Sequence, residues 1–360
     1  MRILHVIHTP RYSGAEMLVA SLAKHHSDMG HPSCVVSINP TEEDFRSVTE
    51  QQKHDGIAWI TPSTRLGRLA RAPFIKKNAI EFLPDVVFAH SVIPAAYARF
   101  AGANNVITVL HDANENDYSS AYFRLAEKLL QYRSAGVIAV SEVARQRYVE
   151  NFSYPRVQHI PNGVLIADFE RSASQRVAVR NRLGLAVTDL VAIQIGRINS
   201  IKQQHLSLKA IIPVIRSNRS VQFVLAGLVE EESYLDDLKR IARNEGVERN
   251  IHFLGPRKDV ADLLSAADLF LMPSLREAHS VAMIEALAAG LPIIASPIPS
   301  FQYATAFEGV SLLSPENLEE FGSKIKSVLN KPKKYARDLR GLDIKDTALA
   351  YIDFATKCTS

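Results

Sequence analysis

Short apolar runs rich in valine and isoleucine recur along this chain, each followed by a stretch of helical period, and that alternation limits the fold more than any other feature. ILHVIH opens the series, an amphipathic segment from Ala15 to Met29 follows, and CVVSI, DVVFAH, NVITVL and GVIAV continue it. Strands apolar on both faces need cover on both sides, which helices between successive parallel strands supply. The pattern then starts over. LVAIQIG precedes a predicted helix from Gln203 to Ile215, VQFVLAG a charged one from Glu231 to Asn244, IHFLG one from Asp259 to Ala267, and DLFLMPS closes the series. At 360 residues the chain exceeds a single core, so the reading is α/β with two Rossmann-like parallel-sheet domains and a cleft between them.

Turn chemistry places the seam. Pro161, Asn162 and Gly163 interrupt the segment from His159 to Phe169, and the stretch from Ile344 to Ala355 reads as a last helix returning to the first domain. The predicted domains are therefore 1–165 and 166–340, with 341–360 packing back on the first.

The stretch REAHSVAMIEALAAGLPIIAS, beginning at Arg276, places two glutamates across a predicted helix start. Glu277 falls in the loop leaving the DLFLMPS strand, Ser280 is the expected N-cap, and Val281, Ile284 and Ala288 recur at helical spacing until Gly290 and Pro292. An acid near a helix start is favoured by the dipole in any protein, so Glu277 alone says little. Glu285 is more telling, because it sits among Ile284, Ala286, Leu287 and Ala288, where a carboxylate needs a polar partner. Loops at the carboxyl ends of parallel strands bind ligands, and a helix start favours anions.

Other loops of the same kind carry cations and glycines. Gly14 lies between the first strand and its helix, and GRINSIKQQ brings Gly196, Arg197 and Lys202 to the end of LVAIQIG, where two cations suit a pyrophosphate. The same cations also fit a capped surface loop. Neither the GxGxxG spacing of dinucleotide enzymes nor a nucleotide-hydrolysing P-loop occurs. His111 and His90 each end an apolar run, a place open to a structural or a functional histidine.

Net charge is only +4, but no acid occurs between Ile57 and Ile80, where Arg65, Arg68, Arg71, Lys76 and Lys77 interleave with apolar residues. An anionic membrane surface, a solvated face and a cleft for an anionic ligand all fit this segment. No nucleic-acid pattern and no run of about 20 apolar residues appears. Cys34 and Cys358 show no metal or redox spacing, which favours a reducing cytoplasm.

In order along the chain, SGAE (Ser13–Glu16), TVLHD (Thr108–Asp112), VIAVSE (Val137–Glu142), IPNGV (Ile160–Val164), GRI with Lys202, FLGPRKDV (Phe253–Val260) and the Glu277/Glu285 pair resemble the retaining glycosyltransferases of family 4. The resemblance covers nearly the whole chain and implies the GT-B fold. It further implies transfer of a sugar from a nucleotide-diphosphate donor to an acceptor hydroxyl, in assembly of a surface polysaccharide such as lipopolysaccharide, or of a glycolipid. Glu277 would meet donor-sugar hydroxyls and Glu285 the ribose. Arg197 and Lys202 would neutralise the diphosphate, His111 would lie beside the sugar, and Gly14, Gly196 and the residues His279, Ser280, Val281 and Ala282 would line the donor. Arg257 would flank the base. No DxD pair is present and no cofactor or metal is expected. The departures are Gln203 where relatives often have glycine, a single glycine in SGAE, and Ala-His-Ser after Glu277.

The expected location is cytoplasmic, with the basic segment adding contact at the inner face of the plasma membrane and a lipid-linked or glycan acceptor. A sugar-nucleotide epimerase and a catalytically silent donor-binding subunit are the alternatives, and neither the sugar nor the base is legible.

Overall fold

The computed structural model describes residues 1–111, 118, 120–170 and 173–359. The chain divides into two compact units, Met1–Val164 with Gly341–Ser360, and Leu165–Arg340. Each holds one parallel sheet.

In the first unit, strands β1 (Ile3–Ile7), β2 (Ser33–Ser37), β3 (Ala58–Ile60), β4 (Val86–His90), β5 (Val106–Leu110), β6 (Ser134–Ala139) and β7 (Val157–His159) run in the order β3-β2-β1-β4-β5-β6-β7. Every pair is parallel. Residues of β1, β2, β4 and β5 are buried throughout, the burial that their predominantly apolar sequence requires. Helix Gly14–Asp28 buries Leu18, Val19, Leu22 and Ala23; it starts one residue before the predicted Ala15, because Ser13 is the last extended residue.

The last segment completes this unit. Val164 donates its amide to Leu342 at 3.1 Å, and Ile344 returns one to Val164 at 2.9 Å. Helix Ile344–Thr359 then packs on helix Gly14–Asp28 and on β6, burying Tyr351, Phe354 and Ala355. The fit is close: a Cβ added at Gly136 of β6 would lie 2.8 Å from the Phe354 ring.

In the second unit, β8 (Leu190–Ile195), β9 (Val221–Ala226), β10 (Ile251–Phe253), β11 (Leu269–Met272), β12 (Ile293–Ala295) and β13 (Val310–Leu312) run β10-β9-β8-β11-β12-β13, again parallel. The order reverses between β8 and β11. At such a switch point the two following loops diverge and leave a crevice beyond the strand ends. All four residues of β11 are buried, and helix Gln204–Ser217 packs Leu208, Ile211 and Ile215 into the core beside them.

Candidate active site

The switch point of the second unit brings together residues far apart in sequence. The loop after β8 carries Lys202 and the loop after β11 carries Glu277, and the two side chains form an ion pair. Only 14% of the Lys202 side chain and 10% of the Glu277 side chain are exposed, so water screens the pair weakly. Ser274 Oγ donates to the same carboxylate at 2.9 Å. The Glu277 carbonyl accepts from Ser300 Oγ at 2.5 Å, and the Leu275 amide donates to the Ile201 carbonyl at 2.9 Å. The two loops are thereby fastened to one another.

Helix Val281–Ala288 begins directly beyond. Ser280 caps it, its Oγ accepting from the Met283 amide at 3.4 Å. The amides of Val281 and Ala282 belong to the first turn, which has no intrahelical acceptors. Glu285 lies one turn in, half-buried and without a side-chain hydrogen bond or ion pair among the described residues. Burial pushes its carboxyl up to about 7. His279 stacks on Tyr303 with ring centroids 4.7 Å apart. The Tyr303 hydroxyl is buried with no hydrogen-bond partner among the described residues, and burial followed by the Glu277 charge raises its pKa.

Arg197 takes a different partner from Lys202. Its Nη1 donates to Glu230 at 2.6 Å, while Asn199 donates to the other Glu230 oxygen at 2.7 Å and accepts from the Lys202 amide at 3.1 Å. The Arg197 side chain keeps 40% exposure. Behind it, Gly196 and Gly227 end β8 and β9 at φ 151° and 157°, and a Cβ on Gly227 would overlap the Gly196 carbonyl. Arg257 forms a bidentate pair with Asp259 at 2.8 and 2.6 Å; the hydrogen bonds raise the Arg257 pKa and lower that of Asp259. Gln203, standing where relatives often have glycine, has φ 49° in the left-handed region.

The remaining candidates belong to the first unit. Gly14 opens helix Gly14–Asp28, and Ser13 Oγ donates to Glu16 across the first turn. Nearby is a cavity of about 690 Å³ at the ends of β1, β2 and β4, lined among others by His8, Arg11, Asn39, Arg65 and Ser91. His111 follows β5. Its Nε2 meets His90 Nδ1 at 2.8 Å and burial pushes its pKa down to about 4. Asp112, the last residue of TVLHD, lies outside the described residues.

The basic segment forms helix Arg68–Phe82 and the turn before it. Arg65, Arg68, Lys76 and Lys77 are exposed, as are Leu69 at 93% and Ile80, whereas Arg71 lies over the Tyr97 ring at 5.4 Å. Among the described residues no helix is long and apolar enough to cross a membrane.

Sequence reasoning missed Glu230, Asn199, Gly227 and Tyr303. Glu230 and Gly227 follow a recognisable strand, VQFVLA, so the rule that selected Arg197 applied to them as well. Tyr303 gave no such signal, since it reaches His279 from a segment beyond β12.

Residues 12–167 match the family model described as Glycosyltransferase Family 4, and residues 175–340 the model described as Glycosyl transferases group 1. A putative glycosyltransferase EpsF of Bacillus subtilis is 26% identical over 82% of this chain and 79% of its own length. An Escherichia coli protein named UDP-Gal:alpha-D-GlcNAc-diphosphoundecaprenol alpha-1,3-galactosyltransferase is 25% identical over 59% of this chain and 58% of its own length. Some other curated relatives are matched over only 31–61% of their lengths. Anabaena Alr3699/HepE, solved in complex with UDP-glucose, superposes with a TM-score of 0.79 at 22% identity, over 99% of this chain and 98% of that one. At that identity the likeness concerns the fold.

Proposed function

From the premise that the chain belongs to the GT-B glycosyltransferases, a family 4 domain preceding a group 1 domain, we propose that it transfers a sugar from a nucleotide diphosphate to an acceptor hydroxyl with retention of anomeric configuration. The observation that carries this reading is the grouping of Lys202, Glu277 and the unpartnered Glu285 around one helix start at the switch point of the second unit.

The chemistry follows from where charge develops. The bond from the anomeric carbon to the diphosphate breaks, a bond to the acceptor oxygen forms on the same face, and the acceptor proton passes to the departing phosphate. Lys202, Arg197 and the first amides of helix Val281–Ala288 offset the growing negative charge as fixed, preoriented groups. This assignment uses no divalent metal. Glu277, held by Lys202 and Ser274, accepts from sugar hydroxyls, and Glu285 accepts from the ribose, supplying the partner its half-buried carboxylate lacks. His111 lies beside the sugar. Gly196, with Gly227 behind it, admits the diphosphate close to the backbone. Arg257 flanks the base, and Gly14 is read as a further donor-lining residue.

The acceptor is read as a lipid-linked or surface glycan, since one relative is named for a diphosphoundecaprenol substrate. The exposed Leu69 and Ile80 among the cations of the Arg68–Phe82 helix suit an anionic membrane face, at the cytoplasmic side. Flotation with anionic liposomes at low salt tests that contact, and failure to float would refute it. The principal experiment is a thermal-shift screen of uridine, guanosine and adenosine diphosphate sugars, beginning with UDP-glucose. Product analysis by NMR of the anomeric proton follows. Transfer with inversion, or no stabilisation by any nucleotide sugar, would overturn the reading.

A further inference from the structure

Behind His111 the first unit contains a chain of three more histidines. His111 Nε2 meets His90 Nδ1 at 2.8 Å, His90 Nε2 meets His5 Nδ1 at 3.0 Å, and His5 Nε2 meets His26 Nδ1 at 3.3 Å. The chain ends where His26 Nε2 meets the Ala348 carbonyl at 3.1 Å, on helix Ile344–Thr359. Successive rings are stacked with centroids 5.1 to 5.4 Å apart, and Phe88 lies beside His5 and His26. The nitrogens run end to end, and among the described residues no group of three or more His, Cys, Asp or Glu is disposed to hold a metal.

A carbonyl accepts and never donates, so His26 must carry its proton on Nε2. Burial lowers the pKa of all four rings, to about 3 for His26 and about 4 for His111, so each carries a single ring proton. His26 Nδ1 is then bare and must receive a proton from His5 Nε2. The same step repeats at His90 and at His111. One carbonyl on the last helix thus decides four tautomers in sequence.

We propose that His26, His5 and His90 are positioning residues that fix His111 as the Nε2–H tautomer, presenting a bare Nδ1 as hydrogen-bond acceptor to a hydroxyl of the donor sugar. His111 Nδ1 is buried and has no partner among the described residues, the unsatisfied acceptor that such a hydroxyl would fill. The four aligned ring dipoles polarise one another and turn their negative end to Nδ1. That end favours the positive charge that grows on a sugar ring as its anomeric bond breaks. Because the far end is a carbonyl, the chain orients and does not conduct protons. The inference rests on the glycosyltransferase reading for the identity of the hydroxyl, but not for the tautomers.

The test uses the full chain labelled with 15N-histidine and long-range proton–nitrogen spectra, its 12 histidines assigned by single substitution. All four rings are expected to show a protonated Nε2 and a bare Nδ1; a protonated Nδ1 on His111 would overturn the proposal. In the kinetic arm, His26→Leu removes the anchor, whereas His26→Gln retains a donor for Ala348 and an acceptor for His5. His26→Leu is expected to release His111 into mixed tautomers and lower turnover at saturating donor about tenfold, the rate equivalent of one hydrogen bond. His26→Gln is expected to restore both. Unchanged tautomer and turnover in His26→Leu would refute the relay; if that variant does not fold, the wild-type spectrum still decides. Nε2–H rings in a protein that transfers no sugar would sink the functional reading and leave the tautomer assignment standing.

Discussion

Lys202 and Glu277 stand 75 residues apart in the chain and form an ion pair at the carboxyl ends of two neighbouring strands. Neither side chain has much water around it, so solvent screens the pair weakly and each charge is offset chiefly by the other. Removing one leaves an uncompensated charge in a poorly solvated place. Lys202→Ala should therefore destabilise the protein by about 3 kcal/mol. Adding Glu277→Gln should recover part of that loss, as read in a double-mutant cycle of chemical denaturation. A purely additive cycle would refute the coupling.

Glu285 should make stability and nucleotide binding respond to pH in opposite senses. Its carboxyl titrates near 7 in the folded chain against an ordinary 4.5. Between those values the folded state holds the extra proton, so stability from this group falls as pH rises. On the proposed reading the ribose hydroxyls donate to the ionised form, so affinity for the free nucleotide diphosphate should rise from pH 6 to 8. Glu285→Gln should melt a few degrees higher than wild type at pH 8 and at nearly the same temperature at pH 4, below both values. Calorimetry across that range checks the binding half, and an unaltered affinity in Glu285→Gln would remove its assigned role.

Arg197 should matter to rate and little to folding. Its partner is Glu230 and its side chain is well exposed, so Arg197→Ala should change stability by less than about 1 kcal/mol. Turnover at saturating donor should drop about 100-fold, the scale for losing one preoriented charge-stabilising group. A rate equal to wild type would take Arg197 out of the mechanism.

Gln203 occupies the left-handed backbone region at φ 49°, and a side chain there costs about 1 kcal/mol. Gln203→Gly should therefore raise stability by about 0.5 kcal/mol, after the larger entropy of the unfolded glycine chain is offset. Urea titration provides the measurement. A loss of stability would mean that the Gln203 side chain makes a contact worth more than the strain.

Gly227→Ala is the severe case. The new methyl would meet the Gly196 carbonyl, backbone against backbone, at the ends of β8 and β9. We expect a melting point lowered by several degrees and weaker nucleotide binding, because the strand ends must part just beneath Arg197. Wild-type affinity in a folded Gly227→Ala would show that the diphosphate does not depend on this approach.

The local parts of this architecture were legible in the sequence. Apolar runs such as DLFLMPS became buried strands, and Ser280 became a helix cap, because burial on two faces and capping leave marks within a few residues. What the sequence did not disclose were the pairings. Nothing near Arg197 pointed to Glu230, nor near Lys202 to Glu277, since each pair depends on which strands adjoin. His5 and His26 gave even less warning. Each reads as a stray histidine in an apolar strand or helix until the sheet places β1 beside β4 and the last helix supplies a carbonyl.

The first unit is interrupted in sequence by the second, for residues 165–340 lie between Val164 and Gly341. A ribosome adding about 5–20 residues per second takes roughly 10–35 s to cross that insert. During that interval the seven strands of the first sheet have emerged, but helix Ile344–Thr359 and the Ala348 carbonyl do not yet exist. The inserted unit is contiguous and is able to finish first. The proton arrangement of the four histidines is then among the last features acquired during synthesis, settled only when the final helix docks.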